Sequence, residues 1–353
     1  MIEISLCMIV KNEEAVLERC IKSALGIFDE LIIVDTGSSD NTKKIAKKYT
    51  DKVYDFVWVN DFSAARNHSF SKASKQYIMW LDADDIILPK HKDSLIALKS
   101  SLDSSYDIVA LKYDVAPSLQ STRERIFKRS KNYHWCDPVH EYIPLIGNIF
   151  YADIAINHAP YKREAAHSNR NIKIYESELA KKGDLTPRGK YYYARELKDH
   201  QKWSKAIKWF NLFLKENKGW REDNIAACYN LAICYNRKKE PQKALDALMR
   251  SFNYDAPRAE ICCQIGYHYK DKGDYKAAMS WFEVALNLPL PNNSGFILKD
   301  YLVFIPAIEL AVCFDRLKQY DKANAYNEIA GKANPQSSQY LKNKKYFSAK
   351  IVM

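Results

Sequence analysis

No stretch of this 353-residue chain reaches the roughly 18 uninterrupted apolar residues that a membrane-spanning helix needs. The opening, MIEISLCMIVKNEE, carries an acid near its front and lacks a small-residue cleavage site. Both absences lead to the expectation of a cytoplasmic protein with no membrane span. None of the eight cysteines forms a CxxC pair, and Cys262 and Cys263 are adjacent, so reduced, buried thiols are expected rather than bridges or zinc ligands. No basic run is interleaved with aromatics in the way a single-strand platform requires, and nucleic acid is not an expected partner. The formal charge of +11 belongs to solvated helix faces such as TKKIAKKY and KNKK, where it favours an anionic ligand or an acidic partner.

What is present is globular. Apolar residues make up 47% of the chain and aromatics 13%, which excludes a disordered polymer. The length exceeds a typical single core, so two domains are expected.

The first half alternates strand and helix signals. The apolar runs EISLCMIV (3–10), ELIIVD (30–35), VYDFVWV (53–59) and QYIMWLD (76–82) are separated by helical stretches, with Asn12 expected to cap the first helix and TGSSDNT to open the second. Strands without polar alternation, joined by helices, imply a parallel sheet covered on both faces. Ligands collect beyond the carboxyl ends of such strands, where Asp35, Thr36 and Asp82 to Asp85 lie. After Lys90 the shorter runs DIVALKY, RERIFK and IFYADIAIN continue the same domain as a mixed sheet, with HWCDPVHEY as a loop among them.

From about Tyr161 the chain turns helical and repetitive. GDYKAAMSWFEVAL sets Gly273, Tyr275, Ala278, Phe282 and Ala285 at tetratricopeptide spacing. With Ala278 as anchor, Ala206, Ala244 and Ala323 are equivalent, and Ala194, Ala232, Gly266 and Ala311 fill the preceding helices. The spacing stays near the repeat's roughly 34 residues except where LPLPNNSGF is inserted before Ala323. Four helix pairs and a terminal helix near Gln339 make a short solenoid whose concave face can bind a partner.

MWLDADDI, residues 79–86, places three aspartates in four positions behind a buried strand. Such carboxylates repel one another unless a cation sits among them. A hard divalent cation, Mg²⁺ or Mn²⁺, takes one or two carboxylates plus phosphate oxygens and would steady a diphosphate leaving group. Capping of the helix that begins near Pro89 is the competing explanation.

SLCMIVKNEEAVLERCIKSA, ELIIVDTGSSDNTKKIA, DFSAARNHSF and YIMWLDADD resemble, in order and spacing, the sequence blocks of family 2 glycosyltransferases with the GT-A fold. The resemblance implies an α/β GT-A domain, a Rossmann-like mixed sheet, over residues 1–160, followed by an all-α tetratricopeptide-repeat solenoid over 161–353. It implies inverting, metal-assisted transfer from a nucleotide sugar, UDP-GlcNAc or UDP-glucose, with Mn²⁺ or Mg²⁺, by a hexosyl- or N-acetylhexosaminyltransferase. Its architecture is similar to that of bacterial protein glycosyltransferases, the bacteriocin S-glycosyltransferases of the SunS type and the flagellin O-GlcNAc transferases of the GmaR type. That similarity implies a protein or peptide acceptor held by the repeats.

By the same resemblance Val10 and Glu13 approach the base and ribose, Asp35 contacts them, and Arg66 and Asn67 line the nucleotide pocket. Asp82 is the ribose-side acid, Ala83 stands beside it in the triplet, and Asp84 is the metal ligand. Thr36 stands where many relatives carry a second acid. An arginine that merely holds the Asp82 loop is the alternative for Arg66. The base that takes the acceptor's proton falls in DPVHEYIPL, on Glu141 first and Asp137 next. Strand alternation would put Val139 and Glu141 on one face, so a core-facing Val139 would make Glu141 structural. His158, at the end of the last strand, either completes the metal shell or is a hydrogen-bonded strand-end histidine.

Two further readings stay open. One keeps the chemistry and takes a lipopolysaccharide core as acceptor, and the other makes the chain a protein-binding scaffold or anti-repressor with secondary catalysis. A homodimer also stays open.

Overall fold

The computed structural model describes residues 1–116, 119–161, 169–289 and 297–351. The chain divides into two compact units, Met1–Gly183 and one that begins at Asp184.

In the first unit, β1 (Ile4–Val10), β2 (Glu30–Asp35), β3 (Val53–Asp55) and β4 (Tyr77–Trp80) are parallel neighbours. They are connected through the helices α1 (Leu17–Ala24), α2 (Thr42–Ala46) and α3 (Phe62–Ser71). After the short β5 (Asp85–Ile86) and α4 (Pro89–Ser101), the strands β6 (Ile108–Ala116), β7 (Leu119–Lys128) and β8 (Ile149–His158) complete the order β3-β2-β1-β4-β7-β6-β8-β5. β7 runs antiparallel to both β4 and β6, which makes the sheet mixed, as expected.

The apolar runs are continuous because both faces are covered. Leu6, Met8 and Val10 pack with Leu17, Ile21 and Met79 on one side, while Cys7 joins Ile32, Ile78, Trp80 and Phe127 on the other. Successive side chains of one strand thus feed two cores.

Three local expectations are corrected. Asn12 has φ 55 and caps nothing helical: α1 starts at Leu17, and the Asn12 carboxamide oxygen instead accepts the Ser39 N–H at 2.8 Å. β3 stops at Asp55, where its partner β2 also ends: the Phe56 N–H makes the last bond of the pair, to the Asp35 carbonyl at 2.8 Å, and the expected strand does not continue to Val59. The helix α5 (Arg170–Lys182) belongs to the first unit, so the units part at Gly183 rather than at 160/161. Tyr175 explains this placement: it is buried and its hydroxyl donates to the Val139 carbonyl at 3.2 Å.

The second unit is built of antiparallel helix pairs. They are α6 (Pro187–Asp199) with α7 (Trp203–Glu216), α8 (Arg221–Arg237) with α9 (Pro241–Arg250), α10 (Ala259–Asp271) with α11 (Tyr275–Asn287), and α12 (Phe304–Arg316) with α13 (Tyr320–Ala333). α14 (Ser338–Ile351) follows them. The four anchor alanines, 206, 244, 278 and 323, are all buried. Most of the expected insertion, residues 290–296, lies outside the described residues. Among the described residues no helix is long and apolar enough to cross a membrane.

Candidate active site

The carboxyl ends of β1 and β2 form one wall. Gly37, at φ 101, lets the chain fold back so that its N–H and that of Ser38 donate to Asp35 Oδ1 at 3.0 and 2.9 Å. Asp35 is only 2% exposed, and its Oδ2 has no partner among the described residues. A buried carboxylate oxygen without a donor is costly, and a ligand N–H or O–H would relieve it. Thr36 cannot serve as a second acid, and its hydroxyl donates to the Val10 carbonyl at 3.1 Å. Glu13 takes part through its backbone, its N–H donating to Thr42 Oγ1 at 2.7 Å and its carbonyl accepting the Val16 and Leu17 N–H groups. Val10, Glu13 and Asp35 therefore meet at one sheet end.

α3 supplies the second wall. Asp61 caps it by accepting the Ala64 N–H at 2.9 Å, and the Phe62 N–H donates to the Pro138 carbonyl at 2.8 Å. That bond ties the helix start to the loop 136–142, which Cys136 and Tyr142 close with a pair of backbone hydrogen bonds. One turn along, the Arg66 guanidinium packs against the edge-to-face pair of rings Trp80 and Trp135, 4.8 Å from each centroid. Its Nη2 reaches Asp82 Oδ1 at 2.8 Å and its Nε reaches Glu141 Oε1 at 2.7 Å. The role of holding the Asp82 loop is thus met directly. Asn67 is spent on structure: its carboxamide donates to the Trp135 carbonyl at 3.0 Å and accepts the Trp135 N–H at 2.8 Å.

The loop that carries Glu141 is not a strand. Asp137 and His140 have φ 66 and 55, so the alternation expected of a strand does not apply. Val139 is buried, yet Glu141 faces Arg66 beside Asp82. Asp137 contributes its carbonyl to the Ser63 hydroxyl at 2.5 Å.

The third wall is the aspartate loop. The Asp82 N–H donates to Asp85 Oδ2 at 3.0 Å, and the Asp85 N–H returns to the Asp82 carbonyl at 3.1 Å. β5 pairs Asp85 with His158 of β8, and the Ala159 N–H donates to the Asp84 carbonyl at 2.9 Å. This pairing brings His158 Nδ1 to 3.6 Å from Asp84 Oδ1. Asp84, Asp85 and His158 each offer one ligand atom, all within 4.8 Å of one another. Two carboxylate oxygens and an imidazole nitrogen fit a divalent ion, and the nitrogen favours Mn²⁺ over Mg²⁺. Ala83, buried between the two acids, contributes no side-chain donor.

Charge is distributed unevenly over these acids. Burial works against ionisation of Asp82, but Arg66 and then Arg125 outweigh it and hold its carboxyl below the ordinary value. Burial raises Asp84, with His158 opposing and Asp82 adding to the rise. Arg125, Tyr113, Trp80 and Trp135 had no place in the sequence reading. The β4–β7 register that brings Arg125 to Trp80 is a tertiary fact, and no spacing in the sequence announces it.

Residues 5–165 match the model of glycosyl transferase family 2, and residues 259–289 match a tetratricopeptide repeat. The first unit is a family 2 glycosyltransferase domain. A TPR repeat-containing protein of Synechococcus elongatus is 33% identical over 147 residues, 40% of this chain and 36% of the relative. The prophage-derived glycosyltransferase SunS of Bacillus subtilis is 27% identical over 203 residues, 54% of this chain and 48% of the relative. The chain thus spans half or less of the length of these relatives. Among solved structures, glucosyl-3-phosphoglycerate synthase from Mycobacterium tuberculosis, in complex with Mn²⁺, uridine diphosphate and phosphoglyceric acid, is 24% identical. It covers 32% of this chain and 43% of that one at a TM-score of 0.28. The transferase domain holds at its sheet end the Asp82-Ala83-Asp84 triplet that the sequence blocks led one to expect there.

Proposed function

We propose that the protein is an inverting, metal-dependent glycosyltransferase that moves a hexose or N-acetylhexosamine from a UDP-sugar to a protein or peptide acceptor held by the repeats. The observation that carries this reading is the ion-pair bridge from Asp82 through Arg66 to Glu141, which joins a donor-side acid to an acceptor-side acid across one guanidinium. Asp35, with its open Oδ2, receives a donor hydrogen of the base or ribose. Asp84 and His158 hold the cation, which supplies a Lewis acid for the leaving diphosphate.

In the transfer itself, the acceptor hydroxyl or thiol attacks the anomeric carbon in line. The bond from that carbon to the diphosphate oxygen breaks, UDP leaves with the electron pair, and the acceptor proton passes to Glu141. Arg66 fixes one oxygen of Glu141 and so orients the other, as the third member of a catalytic triad orients its base. The repeat match that follows the glycosyltransferase match in the same chain supports a polypeptide acceptor.

The test is to incubate the full chain with a panel of UDP-sugars and Mn²⁺ and to measure UDP release. Release from one or two sugars that stops in EDTA supports the reading. Turnover undiminished in EDTA, or none with any UDP-sugar together with no UDP binding, overturns it.

A further inference from the structure

Three carboxylates in four positions need cations, and the chain supplies two of its own. Arg66 takes Asp82 at 2.8 Å. Arg125, from the middle of β7, takes Asp85: its Nη1 lies 3.0 Å from Asp85 Oδ2, and the two side chains are 1% and 0% exposed. Both guanidinium groups lie against the Trp80 ring, Arg66 at 4.8 Å and Arg125 at 3.8 Å from its centroid. Tyr113 covers Arg125 at 4.7 Å, while its hydroxyl donates to Asp85 Oδ1 at 2.9 Å and lies 3.1 Å from His158 Nδ1.

Asp85 therefore has both oxygens engaged, Oδ1 by Tyr113 and Oδ2 by Arg125 and the Asp82 N–H. The Arg125 Nε and Nη2 atoms have no acceptor among the described residues, so the rings, the Asp85 carboxylate and the Trp80 carbonyl, 3.5 Å from Nη1, hold this guanidinium. Of Asp84, Asp85 and His158, Asp84 and His158 reach solvent, with side chains 28% and 31% exposed.

We infer that Arg125 is a positioning residue for the cation site: it holds Asp85 as an internal counterion, and Asp84 with His158 meets the metal. This rests on the proposal that a divalent ion binds there. Without Arg125, Asp85 is a buried carboxylate with no counterion beside Asp84, and the loop must shift to hydrate it or recruit the metal to it. Either response changes how Asp84 is presented.

Free Mn²⁺ is measured by electron paramagnetic resonance as it is titrated into the full chain at a fixed UDP concentration, a readout that needs no turnover. Arg125→Met should weaken Mn²⁺ binding about tenfold or more, the scale of lost outer-shell support. Arg125→Lys should recover much of the loss. Arg125→Met/Asp85→Asn, which removes both buried charges, should return to within about threefold of the wild type.

Wild-type affinity in Arg125→Met overturns the inference. So does a double variant as weak as Asp85→Asn alone, since Asp85 would then be a ligand. If Arg125→Met is insoluble, the soluble double variant decides by the same criterion. A wild type that does not bind Mn²⁺, or an Asp84→Ala variant that binds it equally well, removes the cation site itself and this inference with it.

Discussion

Glu141 shares Arg66 with Asp82, so a replacement that keeps its shape separates proton transfer from architecture. Glu141→Gln retains an oxygen for the Arg66 Nε and should lower kcat by about 10²-fold, the scale of a lost general base, with UDP affinity near wild type. Asp137→Asn is the matched control, because asparagine tolerates the positive φ at that position. If Asp137→Asn shows the kinetic loss and Glu141→Gln does not, the base has been misassigned. Asp84→Ala should abolish Mn²⁺-dependent UDP release while the melting temperature barely moves, since a part-exposed loop acid adds little stability.

Away from the site, Glu30 shows how an acid anchors the sheet. Burial opposes its charge, but Lys52, Ser5 and Ser74 overcome this and lower its pKa from 4.5 to about 2. A depressed carboxylate stabilises the fold above its unfolded pKa near 4.5, and that contribution is lost as pH falls through about 2. Because Lys52 is half exposed, the contribution is discounted to about 2 kcal/mol. Glu30→Gln should therefore cost about that much in urea unfolding at pH 7, and the gap should close below pH 4.5. A gap that stayed constant down to pH 2 would exclude the ion pair as its source.

Elements differ in how much of themselves they disclose. β1, β2 and β4 were legible because both sheet faces are covered, leaving nearly continuous apolar runs that stop at charged residues, Lys11, Asp35 and Asp82. The repeats were legible because the anchor alanines, all buried, recur near the repeat's roughly 34 residues except across the insertion before Ala323. α5 was not assigned to the first unit, since a helix after the last strand looks like the start of the helical half, and the Tyr175 contact with Val139 is tertiary. The segment 136–142 is the loop expected of HWCDPVHEY, but the strand alternation applied to Val139 and Glu141 does not hold in it, because Asp137 and His140 take positive φ where Cys136 and Tyr142 close it tightly. Asp82 to Asp85 stood out as acids behind a buried run, but Arg125 is one charged residue in a strand that only the fold turns inward.

One element-scale prediction follows from close packing of α10 on α11. A Cβ on Gly266 would lie 2.7 Å from the Phe282 ring, which is fully buried. Gly266→Ala gains about 1 kcal/mol in helix propensity, but the ring has little room to give. Gly266→Val should cost about 1–3 kcal/mol by overpacking, read as an earlier loss of helical circular dichroism on heating. An unchanged melt would mean that the two helices part without penalty.

At the scale of the whole molecule, the chain has two units with separate cores. The first buries its own clusters on both faces of a sheet and contains Asp35, Arg66, Asp82, Asp84, Glu141 and His158. The second builds its core around Cys263, Phe282, Ala311 and Phe314, and none of the candidate transfer residues lies in it. On the proposed function, transfer to water would need only the first unit, whereas a flexible polypeptide acceptor would have to be held long enough to react. A tethered binding surface raises its local concentration to the millimolar range, well above that of most free acceptors. Ending the chain after Gly183 should therefore spare UDP binding and slow UDP-sugar hydrolysis, while transfer to a polypeptide falls by about 10²-fold or more. UDP binding by calorimetry and far-ultraviolet circular dichroism would first establish that the shortened chain is folded. Mixing in the separate repeat unit at micromolar concentration should not restore transfer, because capture without the tether gives no local enrichment. Transfer to polypeptide at the full-length rate by the shortened chain would show that the repeats do not hold the acceptor, leaving a scaffold role for them.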